Sequence, residues 1–202
     1  MYSQAAEPIA TLVFAHGAGG DMHHRTMASI SKALLGMGIA TLRFNFPFKE
    51  DGRARVDSQA VSTSAVKTAV EFAIANYRGP LFLGGHSFGG RMASHAVIDH
   101  ELDVDGMIFC SFPLHPRGKP STARAGHLAA IRPPMLFLSG TRDALAEPEL
   151  LGQTVRAAGA KLQWLETADH GYDVLKRTRR RQDDVFDEMA GYVRDFVVSV
   201  TS

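Results

Sequence analysis

A serine lies inside a glycine-rich pentapeptide near the middle of this 202-residue chain. The motif G-H-S-F-G occupies residues 85–89, directly after the apolar run 80–83 and before the helix-like stretch 91–98. A G-x-S-x-G motif between a strand and a helix is typical of a sharp turn that lifts the serine hydroxyl clear of a sheet. Because glycines crowd both sides of this serine, an inert turn is the weaker interpretation. We therefore predict that Ser87 is a nucleophile.

A serine hydroxyl needs a base to accept its proton and a third group to orient that base. In chains with this turn, the order along the sequence is serine, acid, histidine. His170, in the motif A-D-H-G, is the predicted base, and Asp143, in G-T-R-D, is the predicted acid. Each follows a predicted strand, so both should reach the same edge of a sheet as the serine. Asp169 and Glu166 are alternative acids.

Acyl transfer also requires N–H donors aimed at the oxygen on which negative charge develops. The first predicted donor is the backbone N–H of Phe88, the residue after the nucleophile. The second is expected in the loop H-G-A-G-G after the first strand, at Ala18, with Gly17 and Gly19 as alternatives. The glycine spacing of this loop matches neither common phosphate-binding motif, which disfavours a nucleotide site.

Short apolar runs alternate with longer amphipathic segments from one end of the chain to the other. Most of these runs are continuously apolar, as is typical of strands covered on both faces. The predicted strands are Ile9–Ala15, Ile39–Phe44, Leu81–Gly85, Gly106–Ser111, Met135–Ser139 and Lys161–Leu165. This alternation predicts an α/β fold with about six strands, mostly parallel, and helices on both faces. We expect residues 1–202 to form a single domain.

Composition excludes several classes of protein. Lys plus Arg (22) nearly balances Asp plus Glu (21), which gives no support for a nucleic-acid partner. Cys110 is the only cysteine, so no internal disulfide can form. No apolar run approaches the roughly 18 residues that cross a bilayer, and residues 1–8 lack the pattern of a signal peptide. We expect a cytoplasmic protein without a membrane partner; its oligomeric state is left open.

No metal or cofactor is expected. His23 and His24, with His16 nearby, form the densest group of histidines. Adjacent histidines rarely bind one ion together, and no acidic or cysteine set completes a site in the sequence.

The motifs H-G-A-G-G, G-H-S-F-G-G, G-T-R-D and D-H-G together resemble the α/β-hydrolase superfamily over essentially the whole chain. The stretches 42–48 and 112–120 are similar to its small, lidless, dienelactone-hydrolase-like branch. This resemblance implies a minimal α/β-hydrolase fold, with two departures. Dienelactone hydrolases use a cysteine nucleophile, whereas this chain has Ser87. The superfamily also places two strands before the H-G loop, and this chain has only about a dozen residues there.

The superfamily usually inserts a cap after the strand that follows the nucleophile helix. Here that connection spans only residues 112–134, enough for a short helix at 122–131 but not for a cap domain. We therefore expect an open site without a cap. Four side chains that follow strand ends are predicted to line a substrate pocket there, or else to pack on neighbouring helices: Phe46, Phe48, Phe112 and His115.

Three groups of basic residues also have two interpretations. Arg43 and Arg91 can bind a carboxylate, although a structural ion pair is the favoured role. The run K-R-T-R-R-R at 176–181 can steer anionic ligands. Because acidic residues follow it at 183–188, a solvated and locally neutralised segment is favoured instead.

Together these features predict a serine hydrolase of the carboxylesterase or thioesterase type. It would cleave short, accessible carboxylic esters or thioesters through an acyl-enzyme, with a small-molecule substrate and no cofactor. A peptidase or an acyltransferase using the same three residues is an alternative. So is a non-catalytic, hydrolase-like interaction module, although the intact set of Ser87, Asp143 and His170 argues against it.

Overall fold

The computed structural model describes residues 1–3 and 7–202. Within them, seven strands form one sheet in the order β1-β3-β2-β4-β5-β6-β7. The strands are β1 (Tyr2–Ser3), β2 (Ala10–Ala15), β3 (Ile39–Phe44), β4 (Leu81–His86), β5 (Gly106–Cys110), β6 (Met135–Gly140) and β7 (Lys161–Leu165). Strands β2 to β7 are parallel, which confirms the six predicted strands to within one residue at each end.

The seventh strand is an addition to the prediction. β1 pairs with β3 in the antiparallel direction, with Tyr2 opposite Leu42. A two-residue strand is too short to produce a periodic pattern, so the sequence carries no signal for it. Residues 4–6, within the N-terminal segment that lacks a signal-peptide pattern, lie outside the described residues.

Helices cover both faces of the sheet, as expected. They are α1 (Arg25–Gly36), α2 (Pro47–Glu50), α3 (Gln59–Asn76), α4 (Phe88–Asp99), α5 (Pro148–Ala157) and α6 (Val185–Thr201). Alternate residues of β2 face opposite layers: Leu12 packs in the cluster that contains α1 and α6, and Val13 packs in the one that contains α3 and α4. Among the described residues, no helix has both the length and the apolar composition needed to cross a membrane.

The helix expected at 122–131 is not formed. Only a single 3₁₀ turn, Leu128–Ala130, occurs in this connection, and the rest is irregular. Gly126 interrupts the segment and Pro133 follows it closely, so too few residues remain for a stable α-helix. The connection therefore adds no cap above the sheet, as expected from its length.

The turn from β4 into α4 depends on a very close approach of backbone segments. A Cβ atom on Gly89 would lie 2.3 Å from the carbonyl oxygen of Ala15 in β2, and one on Gly85 would lie 2.6 Å from the same oxygen. Contacts this short with backbone atoms exclude every residue except glycine. The two glycines thus allow β2 and the start of α4 to touch, and this contact fixes the turn.

We expect Gly89→Ala to lower the free energy of unfolding by about 2 kcal/mol or more, because the added methyl group must displace backbone atoms. Gly191→Ala is the matched control: its Cβ meets nothing within 4 Å and the residue lies inside α6. The control should raise stability by about 0.5–1 kcal/mol through helix propensity. Urea unfolding curves measure both changes. Equal effects of the two variants would contradict the proposed crowding.

Candidate active site

Ser87 occupies the strained turn between β4 and α4. Its backbone has φ 53° and ψ −118°, a conformation that costs a non-glycine residue about 1–3 kcal/mol. The Ser87 N–H donates to the carbonyl of Cys110 at the end of β5 (2.9 Å), and the Arg91 N–H donates to the Ser87 carbonyl (3.1 Å). The side chain is left half-buried at the first turn of α4. The surrounding backbone therefore holds the hydroxyl at the carboxyl edge of the sheet.

His170 lies between this serine and a buried carboxylate. Its Nε2 is 2.8 Å from Ser87 Oγ, and its Nδ1 is 2.9 and 2.8 Å from the two carboxylate oxygens of Asp143. The Asp143 side chain has no solvent exposure, and Leu145 N–H donates to its Oδ1 (2.8 Å). A carboxylate at Nδ1 favours a proton on that atom and leaves Nε2 free to accept one. The structure thus brings together the three residues that the sequence suggested.

The two alternative acids are engaged elsewhere. Asp169 Oδ1 accepts the N–H groups of Gly171 and Asp173, so this carboxylate caps its own turn. Glu166 pairs with Arg180 at 2.9 Å on the surface. The hydrogen bonds of the His170 ring go to Asp143 and Ser87 instead.

Two loops must be fixed to each other for the acid and the histidine to meet. Asp143 follows β6 and His170 follows β7, and hydrogen bonds join the loops between them. Arg142 N–H donates to the carbonyl of Ala168 (2.9 Å), and Thr167 N–H donates to Thr141 Oγ1 (2.9 Å). The spacing of the two side chains is therefore set by the backbone of both loops.

His86, which precedes the serine, hydrogen-bonds to the backbone of His170. The only signal for it in the sequence is its place inside the pentapeptide, which does not reveal this role. Burial lowers the pKa of His86 to about 4, so it is neutral at pH 7. Its Nε2–H donates to the main-chain carbonyl of His170 (3.0 Å). This bond ties the turn directly to the loop that carries the predicted base.

The glycine-rich loop after β2 passes beside the serine. A Cβ on Gly17 would lie 3.6 Å from Ser87 Cβ and 3.1 Å from His86 Nδ1. Among the described residues, the N–H of Ala18 in this loop has no hydrogen-bond acceptor. The N–H of Phe88, at the first position of α4, likewise lacks an intrahelical partner. The roles of Ala18 and Phe88 as oxyanion donors stay predictions.

Buried His16 fixes the shape of that loop. Its Nε2 accepts the N–H of Phe46 (3.2 Å), so the proton resides on Nδ1, which donates to the carbonyl of Gly17 (2.8 Å). Burial lowers the pKa of His16, which keeps the ring neutral. The histidine thus joins the ends of β2 and β3 next to the site.

The four predicted substrate residues lie in the packed interior. Phe46 and Phe48 have no solvent exposure, and Phe46 packs against Phe88 with ring centroids 5.3 Å apart. Phe112 is also buried. His115 accepts the Glu147 N–H at Nε2 (2.9 Å) and donates from Nδ1 to a neighbouring carbonyl. Buried side chains offer no surface to a ligand, so this placement does not match a pocket-lining role. It matches the alternative, which is packing against neighbouring elements.

The basic residues divide into two groups. Arg43 is buried and donates to the carbonyl of Met22 (2.9 Å), but neither it nor Arg91 pairs with a carboxylate among the described residues. The expected ion pairs of these two arginines are therefore wrong. In the run 176–181, by contrast, Arg179 forms a buried pair with Glu188 at 2.6 Å. The last two arginines of the run also pair with acids, so it is largely neutralised locally.

Comparisons with known proteins agree with this geometry. A family model described as an alpha/beta hydrolase domain matches residues 8–198. A serine hydrolase homologue from Coxiella burnetii has 20% identity and a TM-score of 0.72, over 100% of this chain and 90% of that one. A lidless α/β serine hydrolase from Xanthomonas campestris has 20% identity and a TM-score of 0.70, over 96% and 83%.

A dienelactone hydrolase from Anabaena variabilis has 15% identity and a TM-score of 0.75, over 100% of this chain and 91% of that chain. At these identities the three likenesses show the fold. The resemblance to small, lidless, dienelactone-hydrolase-like proteins is confirmed.

The low pKa of His86 predicts a dependence of stability on pH. Between pH 6.5 and about 4, this ring is protonated in the unfolded chain and neutral in the folded one. Stability should therefore fall as the pH drops through this window, by up to about 1.4 kcal/mol per pH unit for one proton. His86→Gln retains a donor for the His170 carbonyl but does not titrate.

Urea unfolding at a series of pH values measures this slope. We expect the free energy of unfolding to depend less steeply on pH in His86→Gln than in the wild type, by up to about 1.4 kcal/mol per pH unit. His23→Gln, which removes an exposed imidazole outside the site, is the matched control. If wild type and His86→Gln have the same slope, His86 is not held neutral by the fold.

Proposed function

Because this chain belongs to the α/β-hydrolase family, we propose that it is a serine hydrolase that cleaves short, accessible carboxylic esters or thioesters. The observation that carries this proposal is the position of His170. Its two ring nitrogens reach Ser87 Oγ and the Asp143 carboxylate at 2.8–2.9 Å. This is the geometry that general-base activation of a serine requires.

In the first step, Ser87 Oγ attacks the substrate carbonyl carbon while His170 Nε2 takes the hydroxyl proton. The new C–O bond converts the carbonyl into a tetrahedral oxyanion. His170 becomes an imidazolium, and the buried Asp143 carboxylate stabilises that charge and holds the ring in place. The carboxylate has no solvent exposure, which strengthens its interaction with the imidazolium.

The oxyanion is expected to accept hydrogen bonds from the N–H groups of Phe88 and Ala18. Each such donor is worth about 2.7–4 kcal/mol of barrier in a serine hydrolase. Collapse of the intermediate breaks the bond to the leaving alcohol or thiol, which receives the proton from His170. Water then attacks the acyl-enzyme with His170 again as base, and this step releases the carboxylic acid and restores Ser87.

The preference for short substrates follows from the lack of a cap. The connection from β5 to β6 holds one 3₁₀ turn and leaves the carboxyl edge of the sheet uncovered. An acyl chain gains about 0.8 kcal/mol per methylene only when the methylene is buried. We do not propose lactone hydrolysis, because this chain has Ser87 where dienelactone hydrolases use a cysteine.

Labelling by a fluorophosphonate probe tests the nucleophile. We expect stoichiometric labelling of the wild type, because an activated serine attacks the phosphorus atom. Ser87→Ala should abolish labelling and lower kcat for p-nitrophenyl acetate by at least about 10⁴-fold. Ser62→Ala is the control, since Ser62 is a buried serine of α3 outside the site. A folded wild type that takes no label would sink the proposal, as would a mutant that labels normally.

Acyl length tests the open site. Across p-nitrophenyl esters from acetate to dodecanoate, we expect kcat/KM to decline, because no cap buries the added methylenes. Initial rates below the critical micelle concentration of each ester provide the measurement. A clear rise of kcat/KM with chain length would require an acyl pocket and would contradict the preference for short substrates.

A further inference from the structure

Two arginines at the nucleophile helix α4 lie close enough to repel each other. Arg91 belongs to the first turn of α4, and Arg124 lies in the connection between β5 and β6. Both are half-buried, and neither forms an ion pair within the described part of the chain. The Nε atom of Arg91 is buried and has no hydrogen-bond partner among those residues. Burial, together with repulsion from Arg124, lowers the pKa of Arg91.

Two histidines adjoin this arginine. His95, one turn further along α4, stacks on His127 with ring centroids 3.8 Å apart and an interplanar angle of 18°. Ser94 Oγ donates to the Arg91 carbonyl (2.7 Å), so the His127 Nε2–H must donate to Ser94 Oγ (2.8 Å). The Nδ1 atom of His127 then carries no proton. The His127 ring can therefore gain a proton and a positive charge there when an anion is close.

The charges around this group are mostly positive. Residues 113–127 include Arg117, Lys119 and Arg124 but no acidic residue. Asp99 is the acid whose negative charge favours the protonated form of both histidines. Its carboxylate accepts a hydrogen bond from Gln59 (3.4 Å) rather than pairing with an arginine. Holding two guanidinium groups together without a counterion costs free energy. A bound anion would remove this cost.

We propose that Arg91, Arg124, His95 and His127 form a binding site for an oxyanion group, either a carboxylate or a phosphate. Guanidinium groups bind both through paired, charge-assisted hydrogen bonds. Arg91 is four residues after Ser87, which places its Cα atom about 6 Å further along the helix axis. The oxyanion therefore has two possible sources: a charged arm of the ester substrate, which rests on the proposed function, or a free phosphate ion, which does not.

Direct binding is tested by NMR titration of the histidine ring protons with inorganic phosphate at constant ionic strength. We expect saturable shifts of the His95 and His127 signals. Burial lowers the pKa of His127 to about 4, where His95 and Arg91 also disfavour its charge and Asp99 favours it. A tenfold tighter affinity of phosphate for the protonated state would raise that pKa by about one unit.

Arg91→Met and Arg124→Met should each weaken phosphate binding by at least about tenfold, because each removes a charged donor. Arg124→Met changes a loop residue and so keeps the test readable if the helix variant fails to fold. Arg194→Met is the control, since Arg194 is exposed on α6 outside the site. Unsaturable shifts would overturn the proposal, as would identical shifts with chloride or undiminished binding in both variants.

A pair of esters identifies the source. p-Nitrophenyl glutarate carries a free carboxylate, whereas p-nitrophenyl pentanoate has a neutral acyl chain of the same length. If the site holds a substrate arm, kcat/KM should favour the glutarate at least about tenfold, and both arginine variants should bring this ratio towards one. Saturable phosphate binding with a ratio near one would assign the site to a free anion. Failure of the fluorophosphonate labelling would refute the proposed hydrolase activity, and the titration would still decide the binding site.

Discussion

The contact between β2 and the start of α4 is the constraint on which the rest of the site depends. Ser87 adopts a left-handed backbone that a serine does not prefer, and it keeps this conformation only because its neighbours leave no alternative. Gly85 and Gly89 press against the carbonyl of Ala15, which removes the space into which the turn could relax. The same contact brings the glycine-rich loop that follows Ala15 beside the serine. One packing contact thus positions both the hydroxyl and the loop that is expected to bind the oxyanion.

Three histidine side chains extend this positioning to the other loops. His16 connects the loop after β2 to the start of the segment after β3. His86 connects the turn to the backbone of His170, and His115 connects the loop after β5 to the N-terminus of α5. An imidazole suits this task because its two nitrogens can serve two backbone groups at once. Each ring joins separate loops that follow different strands of the sheet.

The sequence was informative wherever a local pattern determines the structure. Continuous apolar runs predicted the six parallel strands, and the pentapeptide predicted the turn that holds Ser87. Chain order then led to Asp143 and His170, because parallel strands deliver their carboxyl ends to one edge. The two-residue strand β1 has no such pattern. The inward burial of Phe46 and His115 depends on contacts between distant segments, and residue type alone does not distinguish a pocket wall from the core.

The surroundings of the two neighbouring rings, His86 and His170, also differ in their effect on positive charge. The rings of His86 and His170 have centroids 5.4 Å apart, so a charged His86 would oppose the imidazolium that the proposed mechanism forms at His170. Burial keeps His86 neutral, and its Nε2–H donates to the main-chain carbonyl of His170. His170 instead faces the carboxylate of Asp143, which has no solvent exposure. Two neighbouring histidines can therefore have different roles: one holds the backbone, and the other is placed to act as the proposed base.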